Sequence, residues 1–231
     1  DIDEESNCAI FPINPHSYYS INISNSTPNP ARPSIHNYLG TDDRGRDVLA
    51  RLIYGFRLSV LFAFALTAIG IIIGIFFGAI QGYFAGRVDL FMQRFIEIWS
   101  SMPELYILII FSSLFEPSIF LLIVLLSLFG WMSLSDYVRA EFLKGRNMEY
   151  VIAARTLGLS NTKIILKHIL PNSMVSVITF LPFRISGAIL ILTSLDFLGL
   201  GVPPDTPSLG ELLAQGKETV SYTHLTLPTK A

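Results

Sequence analysis

Charge is what this sequence is short of. Only 15% of its 231 residues are Asp, Glu, Lys or Arg, against 51% hydrophobic residues, and the formal net charge is −2. Soluble domains carry about 25% charged residues, so the balance, with a mean hydropathy of +0.52, excludes an ordinary soluble domain and implies an all-α polytopic membrane protein. A net charge this small removes the electrostatic case for nucleic acid. Cys8 is the single cysteine, which excludes an intrachain disulfide and a thiolate metal site and leaves the redox compartment unread. His16 and His36 lie too far apart for a local metal motif. No histidine falls in an apolar run to serve Ser133 with Asp136, or Ser194 with Asp196, as a base, which disfavours an intramembrane serine hydrolase. The nearest approach to a phosphate loop, Gly210 to Glu218, has one residue too many before Gly216-Lys217 and no Ser/Thr after it. No catalytic residue, metal site or bound cofactor is therefore expected. A basic, apolar signal peptide is also missing; the chain opens on the acidic DIDEE, as if in mid-loop.

What the chain does have is a series of apolar runs. Residues 1–38 are rich in Pro, Asn and Ser and read as an irregular extramembrane segment. Over residues 39–57, Val48, Leu49, Leu52, Ile53 and Phe56 recur at helical spacing while Arg44, Arg46, Arg51 and Arg57 fall largely elsewhere, predicting an interfacial amphipathic helix. Spans are predicted at about 58–86, 98–115, 117–138 and 172–195; the first has no charge over 29 positions, enough to cross a hydrocarbon core of about 30 Å. Within it Gly70, Gly74, Gly78, Gly82 and Gly86 recur every four residues, a stripe that allows another helix to approach closely. Arg87 to Glu97 reads as a short charged turn, and Glu116-Pro117 as a tight one. Two ionisable groups are candidates for a translocation path: Glu104 near a span end, with an interfacial position as its alternative, and Arg184 near mid-span, which needs a partner or water and could meet a ligand carboxylate or pair with another subunit. The segment 139–168 carries six Lys/Arg against two acids, which assigns it to the cytoplasmic side.

The polar island Glu149 to Asn172 sits between two of these runs. Asn147 is a candidate cap for a first helix, Gly158 for its left-handed end, and Ser160 for the cap of a second helix ending at Pro171. Ala153, Ala154, Gly158, Leu170 and Pro171 keep the spacing of the "EAA" loop, which resembles that of ATP-binding-cassette importer permeases. Ile152 in place of the usual glutamate and His168 in place of isoleucine match the dipeptide/oligopeptide/nickel branch. The strings LGTD at 39–42 with GRD at 45–47, Ser101-x-Pro103, and LDFLGLGVPP at 195–204 resemble further signatures of that branch, nearest to its Yej-type peptide permease subunit. The resemblance, over about residues 36–217, implies a type I ABC importer transmembrane domain at 58–217 in a bacterial cytoplasmic (inner) membrane. It assigns ATPase coupling to Ala153, Ala154, Arg155, Gly158, Leu170 and Pro171 in a cytoplasmic loop at 139–171. It also implies a second homologous permease, one or two ATPase subunits that hold ATP and Mg, an extracytoplasmic solute-binding protein and a peptide substrate. Nickel or another small solute is the alternative cargo, and a proton-coupled carrier using Glu104 and Arg184 the alternative mechanism. Six spans are expected of such a domain and four are visible, so a helix is expected before the first and after the last, and residues 218–231 read as a non-native tail.

Overall fold

The computed structural model describes residues 14–21, 29–203 and 205–225, with side chains described to residue 218. Its regular structure is helical, and among the described residues the only β pairings are two isolated bridges, Ile21 with Arg46 and Thr41 with Asp47. The helices are α1 (Val48–Phe84), α2 (Gly86–Ser100), α3 (Glu104–Leu114), α4 (Ile119–Gly130), α5 (Met132–Gly145), α6 (Glu149–Thr156), α7 (Asn161–Ile164), α8 (Leu170–Phe197) and α9 (Leu209–Leu225), with a π-helical turn at Ile165–Ile169 joining α7 to α8. The chain divides into two compact units, one of residues 1–58 with 204–231 and the other of residues 59–203.

In the first unit, Asp47, the residue just before α1, accepts from the Ala50 amide at 2.7 Å and so caps the helix. Its other oxygen accepts from Asn37 Nδ2 at 2.8 Å. Asp42 receives the Arg46 amide at 2.8 Å and Arg46 Nε at 2.7 Å. Glu211, in the first turn of α9, then pairs with Arg51 and, at 3.4 Å, with Arg46. Gly40, at φ +78°, must be glycine because a Cβ there would lie 2.3 Å from the Ala31 carbonyl oxygen. The helix expected over 39–57 is corrected in its bounds, because this network of loop and ion pairs occupies residues 39–47. Arg46 and Arg51 are buried while Leu52, Ile53 and Phe56 are exposed, and Arg44 and Arg57 stay at the surface. The helix starts at Val48 rather than Leu39 and continues unbroken past Leu58.

In the second unit, three helical stretches are long and apolar enough to cross a membrane: Val48–Phe84, shared with the first unit, Ile119–Gly145 and Asn161–Phe197. The pair α2 and α3, bent by 61° at the Ser101–Pro103 break, forms a fourth if counted as one span. Four predicted boundaries change accordingly. The charged stretch 87–97 is no turn but most of α2, whose Asp89 is buried beneath Arg139, with Arg139 Nη2 2.7 Å from Asp89 Oδ2. The expected second span at 98–115 is broken at Pro103, which cannot donate to the helix ladder and leaves α3 with only 11 residues. The third span extends from 138 to Gly145, and the fourth begins eleven positions before 172, at Asn161.

Pro171 does not end that last helix. Ahead of it the ladder widens so that the Leu170 amide bonds to the Ile165 carbonyl, five residues back. A π-turn gives the proline ring room and absorbs the amide it lacks. In the last turn of α8, the Asp196 carboxylate accepts from the Val202 amide at 2.8 Å and holds the Gly-Pro turn that follows.

Gly70, Gly74, Gly78 and Gly82 lie along the side of α1 that faces α5 and its approach. A Cβ on Gly74 would meet Leu134 at 3.0 Å, one on Gly78 the Ser135 carbonyl oxygen at 2.5 Å, and one on Gly82 the Phe142 Cβ at 2.4 Å. The two backbones are close because these positions carry no side chain. Gly86, grouped with the stripe in the sequence, plays a different part: it has nothing within 4 Å and, at φ +54°, turns the chain from α1 into α2 beside Ala85 at φ +52°.

Candidate functional site

The island 149–172 folds as helix, glycine turn and helix. α6 is capped by the extended Met148 without a side-chain bond; Asn147 instead donates to the Leu143 carbonyl at 3.3 Å and so closes α5, correcting its expected role. At the other end, the Gly158 amide bonds to Arg155 O at 3.0 Å and the Leu159 amide to Ala154 O at 3.2 Å, with Gly158 at φ +77°. This is a Schellman end, and Leu159 supplies its apolar contact by packing on the core. Ser160 precedes α7, but its side chain makes no cap bond.

α6 is two-faced. Val151 and Ala154 are buried in a cluster with Ala79, Tyr83, Leu134, Val138 and Phe142, and Ile164, Ile169 and Val177 join it from the second half of the island and α8. Ile152, 50% exposed, Ala153, Arg155 and Leu157, 79% exposed, face outward. The two alanines therefore separate: Ala153 is on the open face and Ala154 forms part of the seam, one explaining a small surface and the other a close contact. Leu170 packs half-buried against the same core, while Pro171 is exposed at the start of α8. Gly158 is exposed, with nothing within 4 Å of the Cβ position.

Polar contacts absent from the motif attach the island to the spans. Tyr83 donates from its hydroxyl to Asn161 Oδ1 at 2.7 Å, and the Arg155 guanidinium lies 5.5 Å from the Tyr83 ring centroid. Asn172 Nδ2 donates to the Tyr150 hydroxyl at 3.1 Å. Beneath them Gln81, fully buried, donates to Ser135 Oγ at 3.1 Å and accepts from Gln93 Nε2 at 2.9 Å, tying α1 to α5 and α2. Their signal in the sequence was the polarity of Gln81 and Tyr83 inside an apolar run, where an amide or phenol calls for a partner. The arrangement gives an exposed face of two large apolar groups and a cation, backed by a core shared with α1, α5 and α8.

Elsewhere in this unit Glu104 and Arg184 both line one cavity of about 520 Å³. Arg184 Nη1 donates to Ser133 Oγ at 3.0 Å and Nη2 to the Gly130 carbonyl. A Cβ on Gly70 would sit 3.1 Å from Nη2, so the first glycine of the stripe makes room for this guanidinium. Among the described residues neither Arg184 nor Glu104 has an ion-pair partner, and no group of three or more His, Cys, Asp or Glu could hold a metal ion.

Comparison with known proteins matches residues 70–228 to the family described as "Binding-protein-dependent transport system inner membrane component". The match runs through the residues set apart in sequence as a tail, where α9 continues to Leu225. The chain is 58% identical over 184 residues to the "Peptidoglycan transport system permease protein YejE" of Agrobacterium fabrum, covering 80% of this chain and 48% of that protein. It is 54% identical over 201 residues to the "Inner membrane ABC transporter permease protein YejE" of Escherichia coli, covering 87% and 59%. Identity to the "Oligopeptide transport system permease protein OppC" of Bacillus subtilis is 33% over 190 residues, covering 82% and 62%. The chain thus spans about half to three fifths of the length of these relatives.

Proposed function

Because this chain belongs to the family of binding-protein-dependent transport system inner membrane components, we propose that it is a permease subunit of an ATP-driven importer that moves peptides across the bacterial inner membrane. Peptide as the cargo is supported by the peptide-transport and peptidoglycan-transport names of its relatives. The observation that supports the coupling most is the build of α6: an exposed outer face of Ile152, Ala153, Arg155 and Leu157 on a helix whose inner face is sealed into the span core. A short helix so mounted suits a groove on a cytoplasmic ATPase subunit, with Arg155 supplying planar donors and Leu157 an apolar anchor. ATP and Mg belong to that partner, which closes on nucleotide and moves α6; α1, α5 and α8 follow because Val151, Ala154 and the Tyr83–Asn161 bond leave α6 no freedom to move alone. A second permease subunit completes the path and an extracytoplasmic solute-binding protein delivers the cargo.

The test is uptake of a labelled oligopeptide into vesicles holding the full complex. Uptake that needs ATP inside and stops with Gly158→Val, while the spans still insert, supports the reading. Uptake driven by a proton gradient without ATP would replace it with a secondary carrier, and ATP-driven uptake of nickel but not peptide would replace the cargo.

A further inference from the structure

Arg184 raises a question that coupling does not answer. A cation carried in mid-span costs a few kcal/mol unless something neutralises it, and no acid among the described residues does so. Yet the guanidinium is well held. Ser133 Oγ and the Gly130 carbonyl each take one of its N–H groups, and the side chain missing at Gly70 leaves it space. Two acceptors that carry no charge orient the fork without neutralising it. The cavity it lines has apolar walls, including Leu126, Phe129 and Ile191, and one carboxylate, Glu104, in the first turn of α3.

We propose that this cavity is a binding site for a zwitterionic peptide, with the ligand carboxylate on Arg184 and its ammonium group on Glu104; this rests on the importer reading above and adds the class of ligand and the residues that meet it. Three observations favour a mobile ligand over an acidic side chain of another subunit. One Asp or Glu would neutralise Arg184 and leave Glu104 without a counter-charge. The cavity, at about 520 Å³, has the size of small-molecule sites, commonly about 300–1,000 Å³, and far exceeds one carboxylate. Its lining also combines apolar walls with a few charged groups, the pattern of such sites. A guanidinium held by neutral acceptors can accept a carboxylate through its remaining donors and release it again, as a transport intermediate requires.

The experiment is equilibrium binding of radiolabelled trialanine to the complete permease–ATPase complex in lipid nanodiscs, without the solute-binding protein. Saturable binding is expected, weakened about tenfold or more by C-terminal amidation of the ligand or by Arg184→Gln, the effect of losing a charge-assisted pair. Arg184→Gln should no longer distinguish acid from amide, Arg184→Lys should keep part of the distinction, and Glu104→Gln should lose the preference for trialanine over its N-acetyl form. Equal binding of acid and amide by the unaltered complex would overturn the proposal without any variant, as would absence of saturable binding. Loss of the second permease subunit from the Arg184→Gln complex on size-exclusion chromatography, with retention in Arg184→Lys, would assign Arg184 to an inter-subunit ion pair and overturn it too. Binding as expected but without ATP-driven uptake would remove the importer reading and support the site.

Discussion

Arg46 and Arg51 in one unit and Arg184 in the other are guanidiniums in a chain that carries little charge, and they are housed in opposite ways. The first two are buried among Asp42 and Glu211, with Asp47 and Asn37 completing the cluster. Among the described residues Arg184 has a serine hydroxyl and a backbone carbonyl as its hydrogen-bond partners, and it lines the cavity. A buried charge whose counter-charges come from its own unit is a fastener: its energy depends on the partners staying in place. A charge held in position but not neutralised is available to something that comes and goes. The comparison separates two arginine roles that composition cannot tell apart.

Removing an acid from the first cluster should therefore do the most damage. Glu211→Ala leaves two buried arginines sharing the single carboxylate of Asp42 and is expected to lower stability by about 3–5 kcal/mol, read as the shift in thermal unfolding of the purified complex; a loss under about 1 kcal/mol would break the contrast. Next comes the glycine stripe. Gly78→Leu forces a side chain into the Ser135 carbonyl and Val138 and should cost about 1–3 kcal/mol or abolish assembly, measured by recovery of the complex from membranes. Gly86→Ala meets no neighbour and should assemble normally at a cost of about 1 kcal/mol for its left-handed backbone. Gly158→Val imposes a β-branched side chain at φ +77°, worth about 1–2 kcal/mol of local strain; it should spare insertion and sharply reduce ATPase co-purification. The smallest effect on stability is expected of Arg184→Gln, about 1 kcal/mol or less in either direction, because two hydrogen bonds lost offset a charge no longer desolvated. A loss as large as that of Glu211→Ala would mean that Arg184 is a fastener as well.

Much of the architecture could be read from one dimension. Apolar runs of span length announce helices, because in hydrocarbon the backbone must bond within its own segment. The spacing of Ala153, Ala154 and Gly158 placed a short helix with a left-handed end, since Gly158 alone there adopts positive φ without strain. Boundaries were less legible. Periodicity marked an apolar face over 48–56 but could not show that Arg46 and Arg51 find Glu211, some 160 positions away, and that this pairing buries both arginines. Pro171 looked like a helix end because a π-turn cannot be foreseen from local propensity. Asn147 had the right composition for a cap and was taken by the preceding helix, a choice decided by which carbonyl lay nearer. Among the candidate site residues, Glu104 and Arg184 stood out singly as charges in apolar surroundings; nothing in their separation of 80 positions says that they share a cavity.

By itself, then, the sequence determined the helical class, the membrane setting and the position of the polar island 149–172, because each follows from local chemistry: apolar length, small-residue spacing and turn residues. Only the tertiary structure decided which side each residue serves. It separated Ala153 from Ala154, set Gly86 apart from the four glycines before it, gave Arg51 its acid and left Arg184 beside a cavity. The physical reason is that burial and pairing are properties of what lies across a contact, and for these residues the other side of the contact is on a different helix.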